Sequence, residues 1–360
     1  MNKHFSMTMG RIVLAMLVCL AGVTNAFAQD QIAVLQHEGV ITTYYGGNAF
    51  IDAYNAAENG DMITLSAGNF NTCDISKLIT IHGAGVRQDY EVDDKTVFLN
   101  NFAFRCGGTE TEHLTMEGVY FPTQVGACSL YYAEFYKCNI PHIVAPYRWG
   151  SNNCENGNMS NSKFFNCRIG TFEYGRYVYL PYTNWLSDTR NVYFFNTIVY
   201  NTSGLTKALD TDKNIIAYNS YIAYGEENIT CSNFYNCVIA GRSEYVLQET
   251  CTLYNCVTVK NGYEGSLLEN AYNRDCLEVD ELGQVFIDYT GDFDNELFNL
   301  QDGITSSIQG TDGTEVCIYG GMYPFYDIPK YMIMRRCTVG NRTTNDGHLS
   351  VDIEVVTEEP

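Results

Sequence analysis

Phe164-Phe165-Asn166-Cys167-Arg168-Ile169 is one of six closely similar stretches in this chain, and its reading decides the fold. The others are Phe135-Tyr136-Lys137-Cys138-Asn139-Ile140, Phe194-Phe195-Asn196-Thr197-Ile198-Val199, Ala217-Tyr218-Asn219-Ser220-Tyr221-Ile222, Phe234-Tyr235-Asn236-Cys237-Val238-Ile239 and Leu253-Tyr254-Asn255-Cys256-Val257-Thr258. Taken at the third position (137, 166, 196, 219, 236, 255), the spacings are 29, 30, 23, 17 and 19 residues. Repeats of this length mark solenoids, whose units bury their apolar side only against their neighbours. Unequal spacings then mean coils that share a wall and differ in their loops.

Asn tolerates the left-handed backbone conformation and suits a sharp bend between two short strands. Beyond the bend side chains alternate, so Cys167 and Ile169 face one way and Arg168 the other. Stacking the coils places Cys138, Cys167, Thr197, Ser220, Cys237 and Cys256 in one internal file. Neighbouring coils lie ~4.8 Å apart with parallel Cβ vectors, whereas a disulfide wants Cβ atoms nearer ~3.8 Å. These cysteines therefore read as packed core thiols ahead of disulfides or metal ligands.

Upstream, Phe50, Ala53, Tyr54 and Ala57 fall on one helical face, Asn59-Gly60 supplies a stop, and Met62-Ile63-Thr64-Leu65 reads as a strand. With the Asn column, this resembles the right-handed parallel β-helix proteins of the pectin-lyase-like superfamily, over about residues 40–325. The stretches 285–293 and 310–321 resemble the segment that closes many exported members. The resemblance implies an all-β fold, a right-handed parallel β-helix (solenoid) with an N-terminal capping helix and a C-terminal closing β segment. Residues 29–325 would form the solenoid and 326–360 a C-terminal strand segment, with alternation over 349–355.

Lys3 and Arg11, the apolar run 12–23 and Ala26-Phe27-Ala28 describe a cleavable secretory signal over residues 1–28. The run is too short for a membrane span, and Cys19 lacks the small residues that would precede a lipid-anchoring cysteine. The expectation is a soluble exported protein of the periplasm, cell surface or exterior. Removing 1–28 leaves 42 acidic residues against 19 basic, a net charge of −23, which repels nucleic acid and anionic membranes. Cleavage also takes one of 14 cysteines, so at least one of the remaining 13 is unpaired within a monomer.

Chemistry is less legible. The two-carboxylate motifs of polygalacturonase-like hydrolases and the stretches of pectin methylesterases have no counterpart here, so no catalytic residues are assigned, and a lyase stays open. Asp288, Asp292, Asp294 and Glu296 offer oxygen ligands of the kind calcium prefers, but lack a recognised loop spacing and read as a solvated loop. The histidines His37, His82, His113, His142 and His348 read as isolated. The longest coils, between 137 and 196, carry Arg148, Trp149, Tyr174, Arg176, Tyr177, Tyr182 and Trp185. Aromatic faces stack on sugar rings and Arg donates to hydroxyls or carboxylates, so these residues form the expected ligand site. The functional expectation is an exported protein that binds an extracellular polysaccharide, with cleavage by a lyase or hydrolase route as its stronger form. The alternative is a non-catalytic structural or adhesive surface protein. Oligomeric state is not specified.

Overall fold

A computed structural model of the chain describes residues 31–86, 95–145, 158–174, 191–203, 215–224, 229, 231–241, 247, 249–292, 296–325, 333–343 and 349–356. Two long sheets dominate it, each of twelve strands. Sheet A begins with an antiparallel hairpin, β1 (Ile32–His37) and β2 (Val40–Tyr45), then runs parallel from Met62–Leu65 through Glu134–Tyr136, Lys163–Phe165 and Val192–Phe195 to Tyr272–Arg274. Sheet B stacks Gly68–Asn71 through Arg168–Tyr174, Ile198–Ser203 and Tyr221–Tyr224 to Leu277–Val279 in the same coil order. Successive strands of one sheet belong to successive coils, which is a parallel β-helix.

The Asn column is the corner between the sheets. Lys137, Asn166, Asn196, Asn219, Asn236 and Asn255 all have left-handed backbones, with φ between 47° and 57°, and Asp275 at 55° continues them. Each corner N–H donates to the last sheet A residue of the next coil: Asn166 to Phe195, Asn196 to Tyr218 and Asn219 to Tyr235, all at 3.0 Å. The ladder therefore turns the corner without losing its bonds, as a buried backbone must.

The internal file is present as expected. Cys138, Cys167, Thr197, Ser220, Cys237 and Cys256 are buried. Each donates to the carbonyl two residues back: Cys167 Sγ to Phe165 at 3.4 Å, Thr197 Oγ1 to Phe195 at 3.0 Å, Ser220 Oγ to Tyr218 at 2.8 Å and Cys237 Sγ to Tyr235 at 3.2 Å. A small side chain with one short donor is what this position requires, and this is why Cys, Thr and Ser interchange there. Behind the file, Phe135 stacks on Phe164 at 4.9 Å, with Phe194 next at 5.4 Å. All three are fully buried, each worth roughly 1.5–3 kcal/mol of burial.

The capping helix, α1 (Ala49–Ala56), buries Ala49, Phe50, Ala53 and Tyr54, and Phe50 meets Phe98 at 4.5 Å between ring centroids. It ends at Ala56, short of Asn59-Gly60, because Ala57 is already extended. Lys77 takes over the cap, its Nζ donating to the carbonyls of Tyr54, Asn55 and Ala57. Gly60, at φ 90°, instead turns the chain into the following strand.

Residues 285–325 depart from the expected closing β segment. Among the described residues of this range there is one short helix, α2 (Asp302–Ser307), an isolated antiparallel bridge between Phe286 and Leu300, and otherwise irregular backbone, packed on the outer face of sheet B. Val285, Phe286, Phe298, Leu300, Ile304 and Ile308 share a second core with the outward side chains of sheet B, namely Ile198, Tyr221, Val238 and Val257. Over the coils that carry Ile198, Tyr221, Val238 and Val257, sheet B is thus buried on both faces. Arg168 points outward as expected, yet it is covered, donating to Glu296 O at 3.2 Å and lying over the Phe325 ring at 5.3 Å.

From 309 to 325 the strap runs back along the Asn column. Asn255 Nδ2 donates to Gln309 O at 2.8 Å, Asn236 Oδ1 accepts from Thr311 N at 2.9 Å, and Asn219 Nδ2 donates to Glu315 O at 3.4 Å. Asn196 Nδ2 donates to Ile318 O and Gly320 O at 2.8 and 2.7 Å, and Asn166 Nδ2 to Pro324 O at 3.3 Å. The amides thus anchor a distant segment, and one also bonds along the column, Asn236 Nδ2 donating to Asn219 Oδ1 at 3.3 Å. Gly320 and Gly321 permit this approach: a Cβ would stand 1.7 Å from Glu315 O at the first and 2.5 Å from Asn219 Oδ1 at the second. Beyond the strap, Ile333–Thr343 and Leu349–Val356 pair as an antiparallel hairpin, the second strand matching the expected terminal one.

Candidate functional site

The outer face of sheet A carries a row of aromatic rings that the repeat generates directly, because the residue before each corner faces outward. Tyr136, Phe165, Phe195, Tyr218, Tyr235 and Tyr254 stack in register at 4.7, 4.7, 5.3, 4.8 and 5.4 Å, with interplanar angles of 4–9°. Rings so stacked cover one another's faces and present edges and phenol hydroxyls outward. Burial raises the Tyr218 phenol above its ordinary range, so it is a neutral donor.

Tyr323 of the strap breaks the pattern. Its ring stands at 73° and 74° to Phe165 and Phe195, with centroids 5.5 and 6.3 Å away. Because both neighbours' faces are already covered, their edges meet one face of Tyr323, in the favoured edge-to-face geometry. Tyr323 is 47% exposed, and Met322 beside it 82%. Between strap and rail lies a pocket of about 260 Å³, lined by Glu117, Tyr136, Lys137, Phe165, Asn166, Met322, Tyr323 and Pro324.

Charged groups border the pocket in successive coils. Glu117 faces His82 Nδ1 at 3.2 Å and Lys137 Nζ at 3.9 Å. Glu134 accepts from Lys163 Nζ at 2.8 Å and from Tyr136 Oη at 2.6 Å, with His113 Nε2 at 3.8 Å. Burial works against the Glu134 carboxylate, but the bonds from Lys163 and Tyr136 outweigh it and hold its carboxyl below the usual range. Two histidines that read as isolated in the sequence therefore each face a carboxylate. Their partners lie 35 and 21 positions away, across coils whose register the chain alone does not display.

Of the residues expected to bind ligand, Arg148, Trp149, Arg176, Tyr177, Tyr182 and Trp185 lie outside the described residues, and Tyr174 is described only as the last backbone position of its strand. Tyr174 and Ala145 are register partners. They are the last described positions of two neighbouring sheet B strands, at the opposite end of those strands from the corner that holds the pocket. The pocket is not legible in the sequence because three of its eight lining residues, Met322, Tyr323 and Pro324, come from the strap. Tyr136, Lys137, Phe165 and Asn166 were in the repeat, and the step from Asn to Lys at 137 was the available signal.

The acidic cluster has a structural use. Glu296 is buried, and its Oε2 accepts from Thr290 N at 2.7 Å, Thr290 Oγ1 at 3.0 Å and Gly291 N at 3.0 Å, closing its own loop. Asp294 lies outside the described residues. Among the described residues, no group of three or more His, Cys, Asp or Glu side chains is placed to hold a metal, and no helix is long and apolar enough to cross a membrane. Cys128 is disulfide-bonded, whereas the cysteines of the internal file are thiols. No family model, curated protein or solved structure matches the chain.

Proposed function

We propose that this chain is an exported β-helix protein that binds an extracellular glycan at the strap end of the aromatic rail. The observation that carries this reading is the pocket beside Tyr323, where a half-exposed ring stands across from an ammonium and a carboxylate on a rigid wall. Sugar rings have apolar C–H faces and a belt of hydroxyls, so they are recognised by an aromatic surface flanked by fixed donors and acceptors. At about 260 Å³ the pocket falls below the roughly 300–1,000 Å³ of drug-sized ligand sites, a size that suits one sugar unit of a longer chain. The phenol hydroxyls along the rail supply contacts for neighbouring units. The resemblance to the pectin-lyase-like superfamily, many of whose members act on polysaccharides, points the same way, and the net charge of −21 disfavours nucleic acid.

Titrating a panel of neutral and acidic oligosaccharides by calorimetry tests the reading. Tyr323→Ala and Lys137→Asn should each weaken binding by roughly tenfold, about 1.4 kcal/mol, without loss of fold. Lys137→Asn is chosen because Asn occupies the same corner in the next five coils. If no oligosaccharide binds, or both variants bind as the unaltered chain does, the reading fails. If Trp149→Ala and Trp185→Ala abolish binding while Tyr323→Ala does not, the glycan belongs to the loops of the longest coils.

A further inference from the structure

The hairpin β1–β2 ends sheet A beside the capping helix, and among the described residues one edge of β2 is unpaired. Gly46 N–H donates to Gln31 O at 2.7 Å, and main-chain groups alternate along an antiparallel strand. Val40, Thr42 and Tyr44 therefore turn their N–H and C=O toward β1, while Ile41, Thr43 and Tyr45 turn theirs outward. Among the described residues β2 pairs with β1 alone. Such edges are usually blunted by charge, proline or a bulge. The strand Val-Ile-Thr-Thr-Tyr-Tyr has neither charge nor proline, and its pairing with β1 is unbroken.

This strand is also where apolar surface concentrates. Of the eight large hydrophobic residues exposed among the described ones, Val40 at 62%, Ile41 at 69% and Tyr45 at 65% lie on β2. A chain of net charge −21 repels its own copies over most of its surface. An uncharged, exposed strand is where that repulsion is weakest.

We propose that β2 pairs antiparallel with β2 of a second copy, about a two-fold axis through Thr43. The strand is self-complementary in that register. Ile41 falls opposite the copy's Tyr45, and Thr43 opposite itself, while on the other face Thr42 meets Tyr44. Pairs of β-branched with aromatic residues, and Thr with Thr, are among the favoured cross-strand combinations. The same register joins the outward N–H and C=O groups of Ile41, Thr43 and Tyr45 in hydrogen-bonded pairs. Glu38, the nearest acidic residue, lies beyond the paired stretch. A two-fold contact uses the same patch on both copies and closes, so the product is a dimer with sheet A continuous across it.

Sedimentation velocity of the full chain tests this. The unaltered chain is expected to sediment as a dimer and the double variant Ile41→Lys, Tyr45→Lys as a monomer. Both side chains are exposed, so circular dichroism should be unchanged, and the thermal midpoint should rise with protein concentration in the unaltered chain but not in the double variant. Thr43→Cys should form a covalent dimer on mild oxidation, since residues opposed in such a pair have Cα atoms ~5.5 Å apart, within disulfide reach. Thr42→Cys should cross-link no more than the unaltered chain. A monomeric unaltered chain, a dimer indifferent to the two lysines, or equal cross-linking at 42 and 43 would each overturn the proposal.

Discussion

Asn196 Nδ2 lies 2.7 Å from the carbonyl oxygen of Gly320, although 124 residues separate the two in the chain. The same nitrogen also donates to Ile318 O, and Asn196 is only 2% exposed. One residue therefore performs two tasks: its backbone makes a corner of the coil and its amide holds the strap.

Two substitutions separate those tasks. Asn196→Gly keeps the left-handed backbone and deletes the amide, removing the donor to buried Gly320 O and leaving Ile318 O with Phe325 N–H alone, at a cost of about 1–3 kcal/mol. Asn196→Ala deletes the amide and also strains the corner, adding about 1–2 kcal/mol. Urea unfolding should rank the unaltered chain above Gly and Gly above Ala, and hydrogen exchange over 309–325 should rise in both variants. Equal stability for Gly and the unaltered chain would mean that the amide holds nothing.

The two aromatic rows should differ in energetic weight. Phe164 is fully buried, so Phe164→Ala leaves a cavity and should cost about 3–5 kcal/mol. Phe165, one residue on, is partly exposed on the outer rail, and Phe165→Ala should cost about 1–2 kcal/mol, mostly the two lost ring stacks. Denaturant midpoints of the two variants check the order.

The file of thiols should be chemically silent in the folded chain. Burial drives the Cys167 and Cys256 thiols well above their ordinary range and pushes Cys106, on an earlier coil, up to about 12, so none forms thiolate near neutral pH. A thiol-reactive chromogen should label them only after denaturation. Cys237→Ser should be nearly neutral because Ser220 already fills the equivalent place, whereas Cys237→Val should overpack the file and cost about 1–3 kcal/mol. Rapid labelling of Cys167 in the native state would contradict this packing.

At the N-terminal end, His37 Nδ1 sits 2.9 Å from Asp61 Oδ2, tying β1 to the turn that follows α1. That hydrogen bond, helped by the Asp61 charge, raises the His37 pKa above its ordinary 6.5. A raised histidine favours folding while it is protonated. Its contribution is complete below about pH 6.5 and fades as pH climbs through the raised value. Exchange protection over 32–57 should therefore decline from pH 6 to pH 8 more steeply in the unaltered chain than in His37→Gln. Parallel declines would remove His37 from the account.

The corners, the alternation of faces and the internal file were legible in the sequence because each obeys a local rule. A left-handed bend selects Asn, and a strand turns alternate residues inward. The capping helix was legible for the same reason, since Phe50, Ala53 and Tyr54 recur at helical spacing. The outer wall of sheet B carried a signal that the local rules did not use: Ile198, Tyr221, Val238 and Val257 are apolar at outward positions, as in strands buried on both faces.

What covers that wall, and where the pocket opens, only the tertiary structure decided. The strap reaches Asn255, Asn236, Asn219, Asn196 and Asn166 in reverse chain order, across separations of 54 to 158 residues. Its irregular backbone has no period to read, and its bonds are made to side chains whose corner role was already accounted for. The placing of Tyr323 against Phe165 and Phe195 follows from that docking. Local stereochemistry determined the coil, while the candidate site depends on which distant segment satisfies the amides that the coil leaves pointing outward.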